Sequence, residues 1–175
     1  KYKHMQRTKS ADEVCDHITS WRPEGTCTGK HGEDIHLVIT GGEPLLGWQR
    51  VWPELLEMCR EVGLRNVTFE TNGSKAVIPE LKDYFNNIAT DLHVTWSTSP
   101  KLSISGETLE DTLMPEQLLT MNEVTNSFLY NKFVVRDELC LPDVDTFVSA
   151  YKKAGVQIDS VFLMPEGATL EQQTL

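Results

Sequence analysis

The sequence lacks an excess of positive charge. Of its 175 residues, 16 are Lys or Arg and 26 are Asp or Glu, so the formal net charge is −10. Domains that bind nucleic acids usually carry a basic surface that neutralises phosphates. The chain also lacks an apolar run near the roughly 20 residues of a membrane-spanning helix, and Lys/Arg-rich amphipathic stretches are missing. We therefore expect no nucleic-acid partner, no membrane partner and a cytoplasmic location.

Closely spaced cysteines are also missing. The four cysteines, Cys15, Cys27, Cys59 and Cys140, are widely separated and form no Cys-X-X-Cys pair. This spacing excludes a zinc site built from two close pairs, and a small disulfide framework is not expected at this length. The ordinary interpretation is free thiols in a reducing compartment.

The hydrophobic and charged patterns indicate a single α/β domain. With 39% hydrophobic and 24% charged residues, the chain can bury one substantial core. Strand and helix patterns alternate along it, which predicts βαβ units and a parallel sheet. The predicted strands are 36–40, 66–69, 88–96, 128–135 and 160–163, and the predicted helices are 10–21, 45–62, 78–85, 115–124 and 144–154.

The two ends of the sequence lead to a further expectation. The chain opens on a helix that no strand precedes, and it stops within a helix that begins near Thr169. We therefore expect residues 1–175 to be one domain that is truncated at both ends, the core of a longer polypeptide.

Polar loops follow all five predicted strands. Because ligands in parallel α/β folds bind beyond the carboxyl ends of the strands, these loops predict one functional edge of the sheet. Each loop taken alone also has an ordinary explanation, since Gly, Asn and Pro are the residues that turns need. The loops comprise residues 40–44, 70–73, 97–101, 136–138 and 164–167.

The first of these loops, Thr40-Gly-Gly-Glu-Pro44, has the clearest chemistry. Two glycines without Cβ atoms let a ligand approach the backbone. Pro44 is expected in the first turn of the next helix, where free amides attract an anion. Glu43 would then bind an ammonium group and the amides a carboxylate, as in an amino acid. A tight turn with a solvated Glu43 explains the same residues, and both interpretations stay open.

Four motifs in matching order resemble the radical S-adenosylmethionine (SAM) superfamily, and within it the 7-carboxy-7-deazaguanine synthases. They are Thr40-Gly-Gly-Glu-Pro-Leu-Leu, Glu70-Thr-Asn-Gly, Ser99-Pro-Lys and Met164-Pro-Glu-Gly, between about Ile35 and Gly167. The Gly-Gly-Glu-Pro loop is shared by many radical SAM enzymes, whereas the Ser-Pro-Lys loop is the narrower indication. The resemblance implies a partial (β/α) barrel of parallel strands of the radical SAM type.

The resemblance also implies an activity and its site residues. The family is a carbon–nitrogen lyase of the queuosine pathway, converting 6-carboxy-5,6,7,8-tetrahydropterin to 7-carboxy-7-deazaguanine with ring contraction and loss of ammonia. Thr40 would face this pterin substrate. Lys101 as a solvated lysine and 165–167 as a plain turn stay open as alternatives. The residues implied in SAM binding are Gly42, Glu43, Glu70, Asn72, Ser99, Pro100, Lys101, Met164, Pro165, Glu166 and Gly167.

Other cofactors and partners follow from the resemblance alone. It implies a [4Fe-4S] cluster, Mg²⁺, an electron donor such as flavodoxin or ferredoxin, and a possible homodimer. The three closely spaced cluster cysteines of the family are missing here, because Cys15 and Cys27 do not match their spacing. We therefore assign no catalytic residue and no metal ligand in this chain, and expect those ligands upstream of Lys1.

Two alternative functions stay open. One is a different radical SAM enzyme, such as a glycyl-radical-enzyme activase, which shares the Gly-Gly-Glu-Pro loop. The other is a relative without a cluster that binds SAM or a nucleoside and does not catalyse a reaction.

Overall fold

The computed structural model describes residues 9–21, 25–27 and 35–167. Five parallel strands form one sheet in the order β1-β2-β3-β4-β5. Because the order follows the chain without reversal, every crossover steps to the next strand, as in a barrel. The strands are β1 His36–Ile39, β2 Asn66–Thr71, β3 His93–Thr98, β4 Ser127–Val135 and β5 Ser160–Pro165.

Helices alternate with the strands, as the sequence predicts. The first is capped at Ser10, whose hydroxyl accepts a hydrogen bond from the Glu13 amide. In return, the Glu13 carboxylate accepts a hydrogen bond from the Ser10 amide. The last helix among the described residues has Gly155 as its C-cap, in a left-handed conformation. The helices are α1 Ala11–Ser20, α2 Trp52–Glu61, α3 Pro79–Asp83, α4 Leu109–Thr112, α5 Pro115–Asn122 and α6 Leu141–Ala154.

Among the residues that the structure describes, the helices pack on one face of the sheet, and the opposite face, called the open face below, carries none of them. Phe69 of β2 stacks on Trp96 of β3 with ring centroids 5.1 Å apart, and Phe85 packs against both rings. Residues that alternate with these along the strands point to the opposite side. That open face carries polar groups such as Thr68, whose hydroxyl lies 2.7 Å from His36 Nε2.

The predicted helix over 45–62 is wrong in its first half, because α2 begins only at Trp52. The preceding residues form turns that the Gln49 side chain holds. Its Nε2 donates to the carbonyls of Leu45 (2.9 Å) and Ala76 (2.7 Å), and its Oε1 accepts from the Ile78 amide (2.9 Å). The three hydrogen bonds of the buried Gln49 side chain thus stabilise turns where the sequence predicts the start of the helix.

The third strand also starts later than predicted. Residues 84–88 form a π-helical turn that ends when the Ala89 amide donates to the Tyr84 carbonyl (2.8 Å), and β3 begins at His93. In the first strand, β1, only Ile39 is buried.

These strands and helices form the partial (β/α) barrel of parallel strands that the resemblance implies. Among the residues that the structure describes, no helix has the length and apolarity to cross a membrane.

Candidate functional site

Glu43 joins the loops that follow β1 and β2. Its carboxylate accepts hydrogen bonds from the Thr71 hydroxyl (2.7 Å), the Asn72 amide (2.8 Å) and the Leu45 amide (3.1 Å). A carboxylate offers roughly four acceptor positions, so one remains for a ligand. Glu43 therefore fixes the shape of the first loop and keeps part of its acceptor capacity.

The backbone around Gly42 is open to a ligand. Gly42 is exposed with φ +55°, and no atom lies within 4 Å of the position that a Cβ would take. The expected helix amides beside it are absent, because Pro44 lies eight residues before α2 and its carbonyl accepts the Trp52 indole N–H (3.0 Å). The prediction that a helix N-terminus here binds a carboxylate is therefore wrong.

The second loop is a rigid turn shaped by its own side chains. Asn72 Oδ1 accepts from the Ser74 amide (2.8 Å), and the Thr71 hydroxyl accepts from the Gly73 amide (3.1 Å). Gly73 is buried with φ +76°. Asn72 therefore acts as a turn residue, and its predicted contact with SAM stays a prediction.

The third loop lies against its neighbours on both sides. The Ser99 amide donates to the Thr71 carbonyl (2.8 Å), and its hydroxyl donates to the Lys132 carbonyl (3.0 Å). Pro100 is buried and Lys101 is exposed. Lys101 lines two cavities, of about 190 Å³ and about 230 Å³, which is compatible with either interpretation of this lysine.

The fifth strand is longer than predicted, so Met164 and Pro165 belong to β5 rather than to a loop. Glu166 follows directly and is held by the Arg136 guanidinium (2.7 Å), while its amide donates to the Val135 carbonyl (2.8 Å). Glu166 also lines the 190 Å³ cavity beside Lys101. The ends of the third, fourth and fifth strands thus meet at one edge, as the loop pattern predicts.

Thr40 is exposed directly after β1. It lines a cavity of about 480 Å³ between the start of α1 and the loop before α2, together with Trp48 and Trp52. Its predicted role towards the substrate stays a prediction.

Sequence reasoning missed Lys132. Its Nζ lies 3.1 Å from Glu70 Oε1, and this ion pair crosses the open face from β4 to β2. Glu70 is among the residues that the sequence predicts at the site, whereas Lys132 is the single charged residue in the mainly apolar run from Phe128 to Val135. A single charge in such a run is the signal that could have found it, since a buried or half-buried lysine needs a partner.

The described residues do not fit an iron–sulfur cluster or Mg²⁺. Cys15 and Cys59 are buried with their Sγ atoms 3.7 Å apart, and Cys27 is buried beside them. Burial, followed by the neighbouring Cys15 thiol, raises the pKa of the Cys59 thiol far above its usual range. Metals bind the thiolate rather than the thiol. No group of three His, Cys, Asp or Glu residues in 9–21, 25–27 and 35–167 is arranged to hold a metal.

Comparison with curated proteins gives three relatives named 7-carboxy-7-deazaguanine synthase. The chain is 31% identical over 166 residues to the one from Rhodopirellula baltica, covering 87% of the chain and 60% of the relative. It is 30% identical over 127 residues to the one from Methanopyrus kandleri, covering 73% of the chain and 46% of the relative. It is 33% identical over 140 residues to the one from Pyrobaculum aerophilum, covering 78% of the chain and 52% of the relative. The chain thus spans about half of the length of these relatives. No protein-family model matches the sequence.

Solved structures of SuiB from Streptococcus suis share the fold. The complex with the precursor peptide SuiA has a TM-score of 0.58 and 16% identity, covering 98% of this chain and 36% of SuiB. The complex with S-adenosylmethionine has a TM-score of 0.57 and 16% identity, covering 98% of this chain and 37% of SuiB. At this identity the likeness concerns the fold alone. The resemblance drawn from the four motifs is confirmed: the chain has a partial barrel of the radical SAM type and is a relative of the 7-carboxy-7-deazaguanine synthases.

Proposed function

We propose that the protein containing this chain is a 7-carboxy-7-deazaguanine synthase, a radical SAM lyase that converts 6-carboxy-5,6,7,8-tetrahydropterin to 7-carboxy-7-deazaguanine. The observation that carries this proposal is the 30–33% identity, over 73–87% of the chain, to three proteins of that name. Since the chain spans about half of each relative, the activity is proposed for the complete protein.

In this proposal SAM binds across the strand ends. Its ammonium group lies at the exposed backbone of Gly42 and the remaining acceptor position of Glu43. Its nucleoside part lies along Ser99–Lys101 and the segment 164–167, where the third and fifth strands end. The shared cavity between Lys101 and Glu166 supports this placement, and so does the SAM bound to SuiB, which shares the fold.

When bound together with a [4Fe-4S] cluster, SAM supplies the radical that starts the reaction in this superfamily. The described residues contribute binding and orientation: Glu43 holds the first loop and Asn72 shapes the second. We derive no step through a cluster or Mg²⁺, because the described residues do not fit either group. An electron donor such as flavodoxin or ferredoxin and a homodimer belong to the proposal as well.

The test uses the complete protein, purified anaerobically and supplied with iron, sulfide, SAM and a reductant. Incubation with 6-carboxytetrahydropterin is expected to yield 7-carboxy-7-deazaguanine, detected by mass spectrometry. Cleavage of SAM without this product would overturn the proposal in favour of another radical SAM enzyme. A protein that binds no iron and does not cleave SAM would overturn it in favour of a non-catalytic relative.

A variant of Glu43 tests the SAM site. Glu43→Ala removes the acceptor for three groups of the first two loops, so we expect the Kd for SAM to rise about 10- to 100-fold, as for loss of a charged hydrogen-bond acceptor. Glu61→Ala, an exposed glutamate at the end of α2, is the control and should leave the Kd unchanged. Unchanged SAM affinity in a Glu43→Ala protein that circular dichroism shows to be folded would rule out this site.

A further inference from the structure

Two buried thiols meet where α1 packs on α2. The Sγ atoms of Cys15 and Cys59 lie 3.7 Å apart, although the two residues are 44 positions apart in the chain. In α1, which the structure describes in full, only Cys15 is buried, and Cys59 is completely buried in α2. The contact between these two helices is therefore centred on a pair of sulfur atoms.

The rest of α1 is held less firmly than Cys15. Its hydrophobic residues Ala11, Val14 and Ile18 are only partly buried against the core. The beginning of α1 also forms one wall of the cavity of about 480 Å³ that Thr40 lines. A covalent bond between Cys15 and α2 would therefore fix α1, and with it this wall of the cavity, in one position.

The two thiols are placed to form a disulfide bond in a fixed order of events. A sulfur–sulfur bond is about 2.05 Å long, so the two Sγ atoms need to approach by less than about 2 Å. Cys15 keeps 6% of its surface exposed, through which a small oxidant reaches it, whereas Cys59 needs to contact only Cys15. Because burial raises the pKa of the Cys59 thiol, Cys59 stays protonated and is not the first of the two to react with an oxidant.

We propose that Cys15 and Cys59 form a redox-sensitive crosslink, in which hydrogen peroxide oxidises Cys15 and a disulfide bond then joins α1 to α2. This inference goes beyond the proposed function and does not depend on it.

The chemistry of the crosslink has two steps. First, the Cys15 sulfur attacks one oxygen of peroxide and the O–O bond breaks. The leaving hydroxide takes the thiol proton, which gives a sulfenic acid and one water. Second, the Cys59 sulfur attacks the sulfur of this sulfenic acid. The S–S bond forms, the S–O bond breaks, and the leaving hydroxide takes the Cys59 proton as a second water. The two thiols thus lose two protons and two electrons, and one peroxide is reduced to two waters.

The test treats the complete protein with dilute hydrogen peroxide, blocks the remaining thiols with N-ethylmaleimide under denaturing conditions and maps the peptides by mass spectrometry without a reductant. A peptide pair linked through Cys15 and Cys59 is expected, and dithiothreitol should release it. Amide hydrogen exchange in α1 should slow about tenfold or more in the oxidised protein, because the crosslink suppresses openings that separate α1 from α2.

Three results would overturn the inference. The first is recovery of Cys15 and Cys59 without a link between them after peroxide treatment. The second is a link from either residue to Cys27, which lies beside them. The third is a Cys15–Cys59 link that leaves the exchange of α1 unchanged.

Cys59→Ser and Cys140→Ser are the matched variants. Cys59→Ser keeps Cys15 but removes its partner, so peroxide should carry Cys15 on to the sulfinic acid and leave the exchange of α1 unchanged. Cys140 is also buried but lies at the start of α6, so Cys140→Ser should form the crosslink as the wild type does. Slower exchange of α1 in peroxide-treated Cys59→Ser would show that the effect does not come from the bond. The peptide map of the wild type decides the pairing even where a variant fails to fold.

Discussion

Gly73, in the second loop, combines a left-handed backbone with a crowded Cβ position. Its φ of +76° is left-handed, and an added Cβ would lie 3.2 Å from Leu118 Cδ1 in the core. We expect Gly73→Ala to lower the free energy of unfolding by about 1–2 kcal/mol for the backbone strain and by about a further 1 kcal/mol for the crowding. Urea unfolding of the chain measures both.

Gly106→Ala separates these two contributions. Gly106 has φ +86°, but nothing lies within 4 Å of its Cβ position, so only the backbone strain of about 1–2 kcal/mol is expected. Equal losses in the two variants would show that Leu118 yields without cost and that the second loop is less rigid than the structure indicates.

At the scale of elements, a charged contact joins α2 to the π-helical turn at 84–88. The Arg60 guanidinium, with a smaller contribution from the Tyr84 hydroxyl (3.2 Å), holds the pKa of the Glu57 carboxyl below its usual range. A depressed folded pKa contributes stability above the unfolded pKa of about 4.3, and this contribution is lost as pH falls through the folded pKa. The contact should therefore weaken in acid.

Tyr84→Phe tests this contact without changing the packing. At pH 7 we expect a loss of about 0.5–1 kcal/mol in the free energy of unfolding, because the hydroxyl no longer donates to a partly exposed carboxylate. The loss should shrink as pH falls below the unfolded pKa of about 4.3 and through the lowered folded pKa of Glu57. Tyr151→Phe, at another buried tyrosine, is the control and should show the same difference at both pH values. A Tyr84→Phe difference independent of pH would contradict the assignment.

At the scale of the whole molecule, the proposed SAM site depends on separate strand ends being held together. The Arg136–Glu166 pair ties the end of β4 to the end of β5, with more than half of Arg136 exposed. Exposed pairs contribute only about 0–1 kcal/mol to stability, so Arg136→Met should leave the free energy of unfolding nearly unchanged. If 164–167 binds the adenine, the same variant should raise the Kd for SAM about three- to tenfold in the complete protein.

Arg50→Met provides the comparison for that experiment. Arg50 forms a similar exposed pair with Glu80, far along the chain from these strand ends. Its replacement should alter neither stability nor SAM binding. Equal SAM affinities for the Arg136→Met, Arg50→Met and wild-type proteins, measured by calorimetry, would remove segment 164–167 from the SAM site.

Sequence patterns predicted the α/β class, all five strands and the edge that carries the polar loops. They failed where a distant contact replaced a local preference. The apolar spacing after Leu45 is helical, yet Gln49 bonds to Ala76 and Ile78 and holds turns there instead. No local signal reports a partner almost thirty residues away.

What the sequence determined by itself is local: the cap at Ser10, the glycine that ends the last helix, and four motifs in the order of a known family. Each of these features depends on residues that are neighbours in the sequence, so a short segment of the sequence is enough to predict it. Only the tertiary structure decided that Glu43 bonds to the second loop and that Lys132 meets Glu70 across the sheet. Those pairs lie 29 and 62 residues apart. The pairing of parallel strands brings the loops after β1 and β2 together, and it places Lys132 of β4 across the sheet from Glu70 of β2.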